Sequence, residues 1–294
     1  MVLIDNLMEG MNRLIVLVAA TTLASPTEWK DSSLDKRILG GWYAKVTQHP
    51  HHARIIRIIP DFFLDGYFFK IEQCSSSIIN SQWVLTNAHC IAHVGKEGYE
   101  KHSSYWLLVG TERGYEREEL DEEKSVENYF KIDSYYVHPK SDNYFNGHDI
   151  ALVKSERPFK WSEKVKPISL PERGDNLTIG EVTITSGFGI SELSEYNIRN
   201  LKAMFLEIID LKICQRASRL FLRNIYCAVF NGGMPCPHDS GSGVVALRGG
   251  KEVLFAIVTG GTTSCTLREN SFIYLTPVTH NLDFIESTIS NKTG

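Results

Sequence analysis

Apolar positions recur along this chain in short bursts rather than in long periodic tracts. Runs rich in β-branched or aromatic residues occur at 55–59, 77–79, 83–86, 106–109 and 150–153, and again at 182–185, 244–247, 253–258 and 272–275. Each is three to six residues long, and turn formers such as Gly, Asn, Ser, Asp and Pro separate them, the punctuation of β-structure. Three-to-four spacing of apolar residues emerges only over 280–289, where Leu282, Phe284, Ile285 and Ile289 predict a single C-terminal helix. Many short strands with one closing helix predict an all-β domain, a barrel or a sandwich. No internal repeat is present.

The front of the chain reads differently. Met11-Asn12-Arg13 is a short basic start to an apolar run through Leu23, and Thr22-Leu23-Ala24 has the small-x-small form that signal peptidase accepts. About a dozen apolar residues fall short of the roughly twenty that a spanning helix needs. Residues 1–24 are therefore read as a signal peptide, and the product as secreted, without a membrane partner. Asp5 and Glu9 sit ahead of the basic start, so either translation begins at Met11 or the leader is unusually long. The sequons Asn176-Leu177-Thr178 and Asn291-Lys292-Thr293 suit export as glycosylation acceptors, although such triplets also arise by chance.

The chain has 294 residues, 43% hydrophobic and 22% charged, which excludes a disordered, collagen-like or coiled-coil protein. Thirty-one basic against 35 acidic residues leave a net charge of −4 and no electrostatic case for a nucleic-acid partner. Six cysteines allow three disulfides. The charged run over 112–124 reads as a solvated loop, with a calcium-binding loop as the alternative; no other metal or cofactor is expected.

Three segments carry chemistry: Thr86-Asn87-Ala88-His89-Cys90, His148-Asp149-Ile150-Ala151-Leu152, and Cys236-Pro237-His238-Asp239-Ser240-Gly241-Ser242-Gly243. Singly, each has a structural reading as a core histidine, a cap or a turn. Together, in the order His, Asp, Ser, they match one solution to acyl transfer. A serine hydroxyl is a poor nucleophile at neutral pH. It needs an imidazole to take its proton and a buried carboxylate to hold that imidazole in the right tautomer.

On these segments the chain, from about Ile38 to Ile289, resembles the chymotrypsin/trypsin family of secreted serine proteases. The resemblance implies two six-stranded antiparallel β-barrels and a C-terminal α-helix, with catalytic His89, Asp149 and Ser240. It implies an oxyanion hole made by the N–H groups of His238 and Ser240. Arg37-Ile38-Leu39-Gly40-Gly41 resembles the family's activation junction, so residues 25–37 become a propeptide and 38–294 the protease domain. An activating protease would cut after Arg37, and the freed Ile38 amine would turn inward to pair with Asp239. The cysteines map onto family disulfides as Cys74–Cys90, Cys214–Cys227 and Cys236–Cys265. The implied partner is a polypeptide substrate, met by a monomer.

The sequence also departs from that pattern. His238 stands where the family has glycine, and a side chain there threatens one oxyanion donor, a loss worth about a hundred- to a thousand-fold in rate. Met234 occupies the specificity-pocket position where trypsin-like members carry Asp, which argues against Arg or Lys preference. Thr259-Gly260-Gly261 replaces Ser-Trp-Gly, with Gly261 on the pocket rim. Phe272, aligned through Tyr274, falls at a wall position that is commonly glycine and is expected to shrink or plug the pocket. Asn87, Ser75 and Ser76 are smaller departures. Two functions follow from the residues: a secreted endopeptidase that is not Arg/Lys-specific, or a catalytically impaired homolog acting as a binding or regulatory protein.

Overall fold

The computed structural model describes residues 41–60, 67–92, 105–114, 117–119, 127–141, 145–189, 199–230, 234–236, 238–261 and 271–292. Its strands are β1 (Trp42–Tyr43), β2 (His52–Pro60), β3 (Tyr67–Ile78), β4 (Trp83–Thr86), β5 (Tyr105–Val109), β6 (Arg113–Gly114), β7 (Arg117–Glu119), β8 (Tyr129–Val137) and β9 (Ala151–Ser155). There follow β10 (Val182–Gly187), β11 (Arg199–Asn200), β12 (Lys202–Ile209), β13 (Tyr226–Phe230), β14 (Gly243–Arg248), β15 (Lys251–Gly261) and β16 (Ile273–Pro277). Among the described residues three α-helices accompany them: α1 (Ala88–Ile91), α2 (Leu211–Ser218) and α3 (Leu282–Lys292). The signal, propeptide and Arg37–Ile38 expectations lie outside the described residues.

Hydrogen bonding closes two rings. In the first, β2, β5, β8, β9, β4 and β3 pair in that order, and β3 returns to β2 through His52↔Ser77 and its neighbours. In the second, β12, β10, β14, β15, β16 and β13 pair in order, and β13 closes on β12 through Ile208↔Ala228. Every barrel pairing is antiparallel. These are the two six-stranded barrels expected from the resemblance; β7 and β1 add to their outsides, and β6 pairs with β11. Closure removes the exposed edges that an open sheet would present.

The unbroken apolar runs at β4 and β9 have a simple cause. Val84, Ala151 and Val153 point into the first barrel with Ile55, Ile78, Leu107 and Phe130. Their neighbours Trp83, Leu85 and Leu152 point the other way, joining Ile150 in a cluster with Val245, Leu254 and Ile257 of the second barrel and with Leu282 and Ile285 of α3. Both faces of these strands are buried, so the alternation of a half-exposed strand is missing. The second barrel fills with Met204, Leu206, Val244, Phe255 and Leu275.

α2 was not visible in the sequence pattern. Asp210 caps it, its carboxylate accepting the Lys212 N–H at 2.9 Å. Within the helix only Cys214 is fully buried, so the apolar stripe is too thin to register as periodicity. Cys214 is bonded to Cys227, and Cys74 to Cys90. Cys236 is also disulfide-bonded, while Cys265, its implied partner, lies outside the described residues. The Cys74–Cys90 bridge spans 16 positions and ties β3 to α1. Replacing both with alanine is expected to cost about 3 kcal/mol in urea denaturation under oxidising conditions. An unchanged midpoint would show that the barrel holds this loop without the bridge.

Candidate active site

The site is assembled where the two barrels meet. β4 ends at Thr86 and the chain turns through Asn87 into the single helical turn α1, which carries His89. Asp149 lies two residues before the start of β9, the strand paired with β4, so the ladder Thr86↔Ala151 brings the two segments side by side. Asp149 is buried at 1% exposure, and its carboxylate is fully used toward His89. Oδ1 accepts the His89 backbone N–H at 2.9 Å, and Oδ2 lies 2.7 Å from His89 Nδ1. With the proton on Nδ1, the lone pair sits on Nε2, on the part of a ring whose side chain retains 22% exposure.

Ser240 comes from the turn between Cys236 and β14. Its carbonyl accepts the Ser75 N–H at 2.8 Å and lies 4.0 Å from Sγ of Cys90, the residue after His89. The turn is held from several sides. Asp239 N–H donates to Cys236 O at 3.0 Å, Ser242 N–H to Asp239 O at 2.9 Å, and Gly241 N–H to Val258 O at 2.8 Å. Gly241 has φ of +86°, and a Cβ there would overlap the Ser75 carbonyl and the Thr86 hydroxyl, so glycine is required. The Ser240 N–H has no acceptor among the described residues.

His238 adopts φ of +79°, the left-handed region that glycine occupies freely. A conformation of this kind costs a side-chain-bearing residue about 1–2 kcal/mol, and it persists here because the surrounding turn dictates it. The Ser75 hydroxyl, which replaces a glycine in the family pattern, donates to the His238 carbonyl at 3.3 Å. Two departures noted in the sequence thus meet at one peptide.

Asp239 is buried at 2% exposure, and its carboxylate accepts the N–H groups of Gly189 and Cys236, both at 2.8 Å. A Cβ on either Gly187 or Gly189 would collide with it, which accounts for Gly187-Phe188-Gly189. Thr185, Ser186, Met204 and Val258 line a small cleft beside it that is too tight to admit a water molecule.

Asn87 is a contributor that sequence reasoning treated as a minor departure. It is completely buried; Nδ2 donates to the Asp149 carbonyl at 2.8 Å and to Thr259 Oγ1 at 3.3 Å. Thr259 in turn shares a hydrogen bond of 2.7 Å with Thr276. The residue before Ala88-His89 therefore links the histidine turn to the Asp149 backbone and to both strands of the opposite barrel. The sequence offered no signal of this role, because both partners are distant in the chain.

The three residues assigned to a pocket divide between two clusters. Met234 is fully buried among Val258, Ala228 and Ile273. Gly261 pairs with Ile273. Phe272, however, packs with Tyr274, Cys214, Leu222 and Ile225, on the side of the strand away from Met234. The residue that faces Met234 is Ile273, whose Cδ1 lies 3.4 Å from where a Gly261 Cβ would stand. Neighbouring residues of an extended segment take opposite sides, so Phe272 and Ile273 fall into different clusters.

Of the sequons, Asn176 is exposed, but its side chain is engaged: Nδ2 donates to Gly174 O at 3.1 Å, and Oδ1 accepts from Tyr226 and Thr279 hydroxyls. Asn291 is exposed near the end of α3. Most of the charged run at 112–124 lies outside the described residues, so its calcium reading rests on the sequence alone. Among the described residues the one metal-like grouping is Cys74, His89 and Cys90, whose sulfurs are bonded to each other and cannot ligate. No helix among them is long and apolar enough to cross a membrane.

Comparison with known proteins decides the family, because the Trypsin profile matches residues 64–285. The chain belongs to the trypsin family. It is 28% identical over 269 residues to kallikrein-2 of Homo sapiens, covering 87% of this chain and 91% of that protein. It is 24% identical over 237 residues to a trypsin of Phaedon cochleariae, covering 79% and 83%. It is 29% identical over 231 residues to vitamin K-dependent protein C of Oryctolagus cuniculus, covering 74% of this chain and 47% of that protein. Trypsin-family membership supports a serine endopeptidase, a hydrolase whose substrates are polypeptides.

Proposed function

We propose that this protein is a secreted serine endopeptidase zymogen, activated by cleavage after Arg37 and not specific for Arg or Lys. The observation that carries the reading is the Asp149 carboxylate, which grips both the ring and the backbone of His89. In the mechanism, His89 Nε2 takes the Ser240 Oγ proton as Oγ attacks the scissile carbonyl carbon. The oxyanion is met by the N–H groups of His238 and Ser240. The tetrahedral intermediate collapses as the C–N bond breaks, and His89 returns its proton to the departing amine. Water, deprotonated by the same imidazole, then releases the acyl group from Ser240. Asp149 stays ionised and stabilises the imidazolium at each transfer.

Activation follows from the same residues. A free Ile38 amine would be drawn to the buried Asp239 carboxylate beside the small cleft, an ion pair costly to break once formed. The buried, uncharged Met234, narrowed further by Ile273, favours small or medium apolar side chains before the scissile bond. The second reading, an impaired homolog that binds rather than cuts, draws on the positive φ of His238.

The deciding experiment uses the full chain before and after limited trypsin cleavage at Arg37, with a fluorophosphonate probe. Labelling of the cut form alone, lost in Ser240→Ala, is expected. Correct cleavage without labelling would transfer the assignment to the binding reading. With a peptide library, dominant cleavage after Arg would overturn the pocket reading.

A further inference from the structure

The stretch from Leu211 to Asn224 has a composition unlike the rest of the chain. It holds Lys212, Arg216, Arg219 and Arg223 and no acidic residue, in a protein whose net charge is −4. All four cations are exposed, and none has a carboxylate partner among the described residues. The nearest acid in sequence, Asp210, has its carboxylate turned to the Lys212 backbone as the helix cap. Among these cations stand three large apolar side chains: Ile213 at 49% exposure, Leu220 at 38% and Phe221 at 70%.

The platform beneath them is rigidly tied. On the inner side of α2, Cys214 is buried and bonded to Cys227. After the helix, Arg219 turns through φ of +58° while its N–H donates to Gln215 O at 3.0 Å. Gln215 Nε2 donates to Leu222 O at 2.7 Å, and Leu222 and Ile225 are buried against Tyr274 and Phe272. With Leu222 anchored inward, its neighbour Phe221 is held outward, and the Arg223 guanidinium lies 4.3 Å over its ring. On α2 itself, Lys212 and Arg216 stand one turn apart, with Ile213 and Ala217 alongside on the same outward side. Cations interleaved with apolar tips on one rigid surface are the chemistry of a lipid headgroup boundary, where the charges meet anionic lipid and the apolar groups enter the acyl region.

We propose that α2 and the turn after it, through Arg223, form a docking surface for anionic phospholipid membranes. Such association needs no spanning helix, and it revises the expectation of no membrane partner. It is independent of the catalytic reading, since its readout is binding rather than proteolysis.

The test is co-sedimentation of the full, disulfide-bonded chain with phosphatidylcholine vesicles, with and without about one-third phosphatidylserine. Binding is expected only to the phosphatidylserine vesicles and is lost at high salt. Arg216→Gln/Arg219→Gln should weaken it roughly twenty- to thirty-fold, at about fivefold per cation. Phe221→Ser should weaken it by at least about fivefold at unchanged charge. Near-UV circular dichroism matching the wild type shows that these surface variants are folded. The proposal is overturned by absence of binding to phosphatidylserine vesicles, or by binding that both variants retain. Retention by soluble heparin without vesicle binding also overturns it, in favour of a sulfated polysaccharide. So does a Phe221→Ser variant that binds like the wild type, which would reduce the surface to a purely ionic one.

Discussion

Asp149→Asn is expected to lower kcat/KM of the Arg37-cleaved protein by about 10⁴-fold at neutral pH, with the fold intact. Both carboxylate oxygens are committed, one to the His89 backbone N–H at 2.9 Å and one to Nδ1 at 2.7 Å. An amide can keep only one of those acceptors. If its oxygen stays on the backbone N–H, its NH₂ faces Nδ1, which must then accept, and the proton moves to Nε2. His89 in that tautomer cannot take a proton from Ser240. The charge that would stabilise the imidazolium is gone as well. Asn87 and the β4–β9 ladder hold the Asp149 backbone independently, so the loss should fall on chemistry rather than stability. The check is steady-state kinetics on a peptide substrate with thermal unfolding of both proteins. Activity within tenfold of the wild type would mean that His89 is oriented by something other than Asp149.

The second large effect concerns stability in acid. His49, His51 and His52 are each under 5% exposed at the start of the first barrel. Burial lowers His49 to about 4. Burial and then the charge of His49 lower His51 to about 3. Burial first, then His51, Arg54 and His49, push His52 well below its ordinary value. His52 Nδ1 lies 3.3 Å from the Ser186 hydroxyl, and its ring packs on Phe188 beside the Arg54 guanidinium, so a proton there would face a cation. These folded-state values lie below the unfolded value of about 6.5. As pH falls through 6.5 the unfolded chain therefore takes up protons that the folded chain refuses, and stability drops until the folded values are reached. At pH 5 each histidine should cost about 2 kcal/mol relative to pH 7.5, and the three together about 6 kcal/mol. Urea denaturation at the two pH values measures this. Equal unfolding free energies would refute it, and replacing His51 should flatten the dependence by about one-third.

Much of this protein could be read from its residues because the information is local. Short apolar runs between turn formers announced strands, since period-two burial and turn chemistry are properties of neighbouring residues. The three candidate segments were recognisable because the chemistry they would serve needs particular residue types at fixed offsets, and His89 and Asp149 do meet. The glycine missing at His238 was equally legible, and the structure adds that the backbone there is left-handed all the same. α2 was not legible, because one buried cysteine makes no stripe.

What only tertiary structure decided depends on register and closure. Pairing of β3 with β2 and of β13 with β12 turns two sheets into barrels, and no local pattern encodes a contact between distant strands. Whether Phe272 or Ile273 faces Met234 hangs on strand parity, which one residue of slip inverts, so only the Gly261↔Ile273 pairing settles it. Asn87 looks incidental in the sequence because its partners, the Asp149 carbonyl and Thr259, are 62 and 172 residues away. Residue type and spacing determine what chemistry a segment can offer; which groups touch is determined by how the closed barrels bring separated strands together.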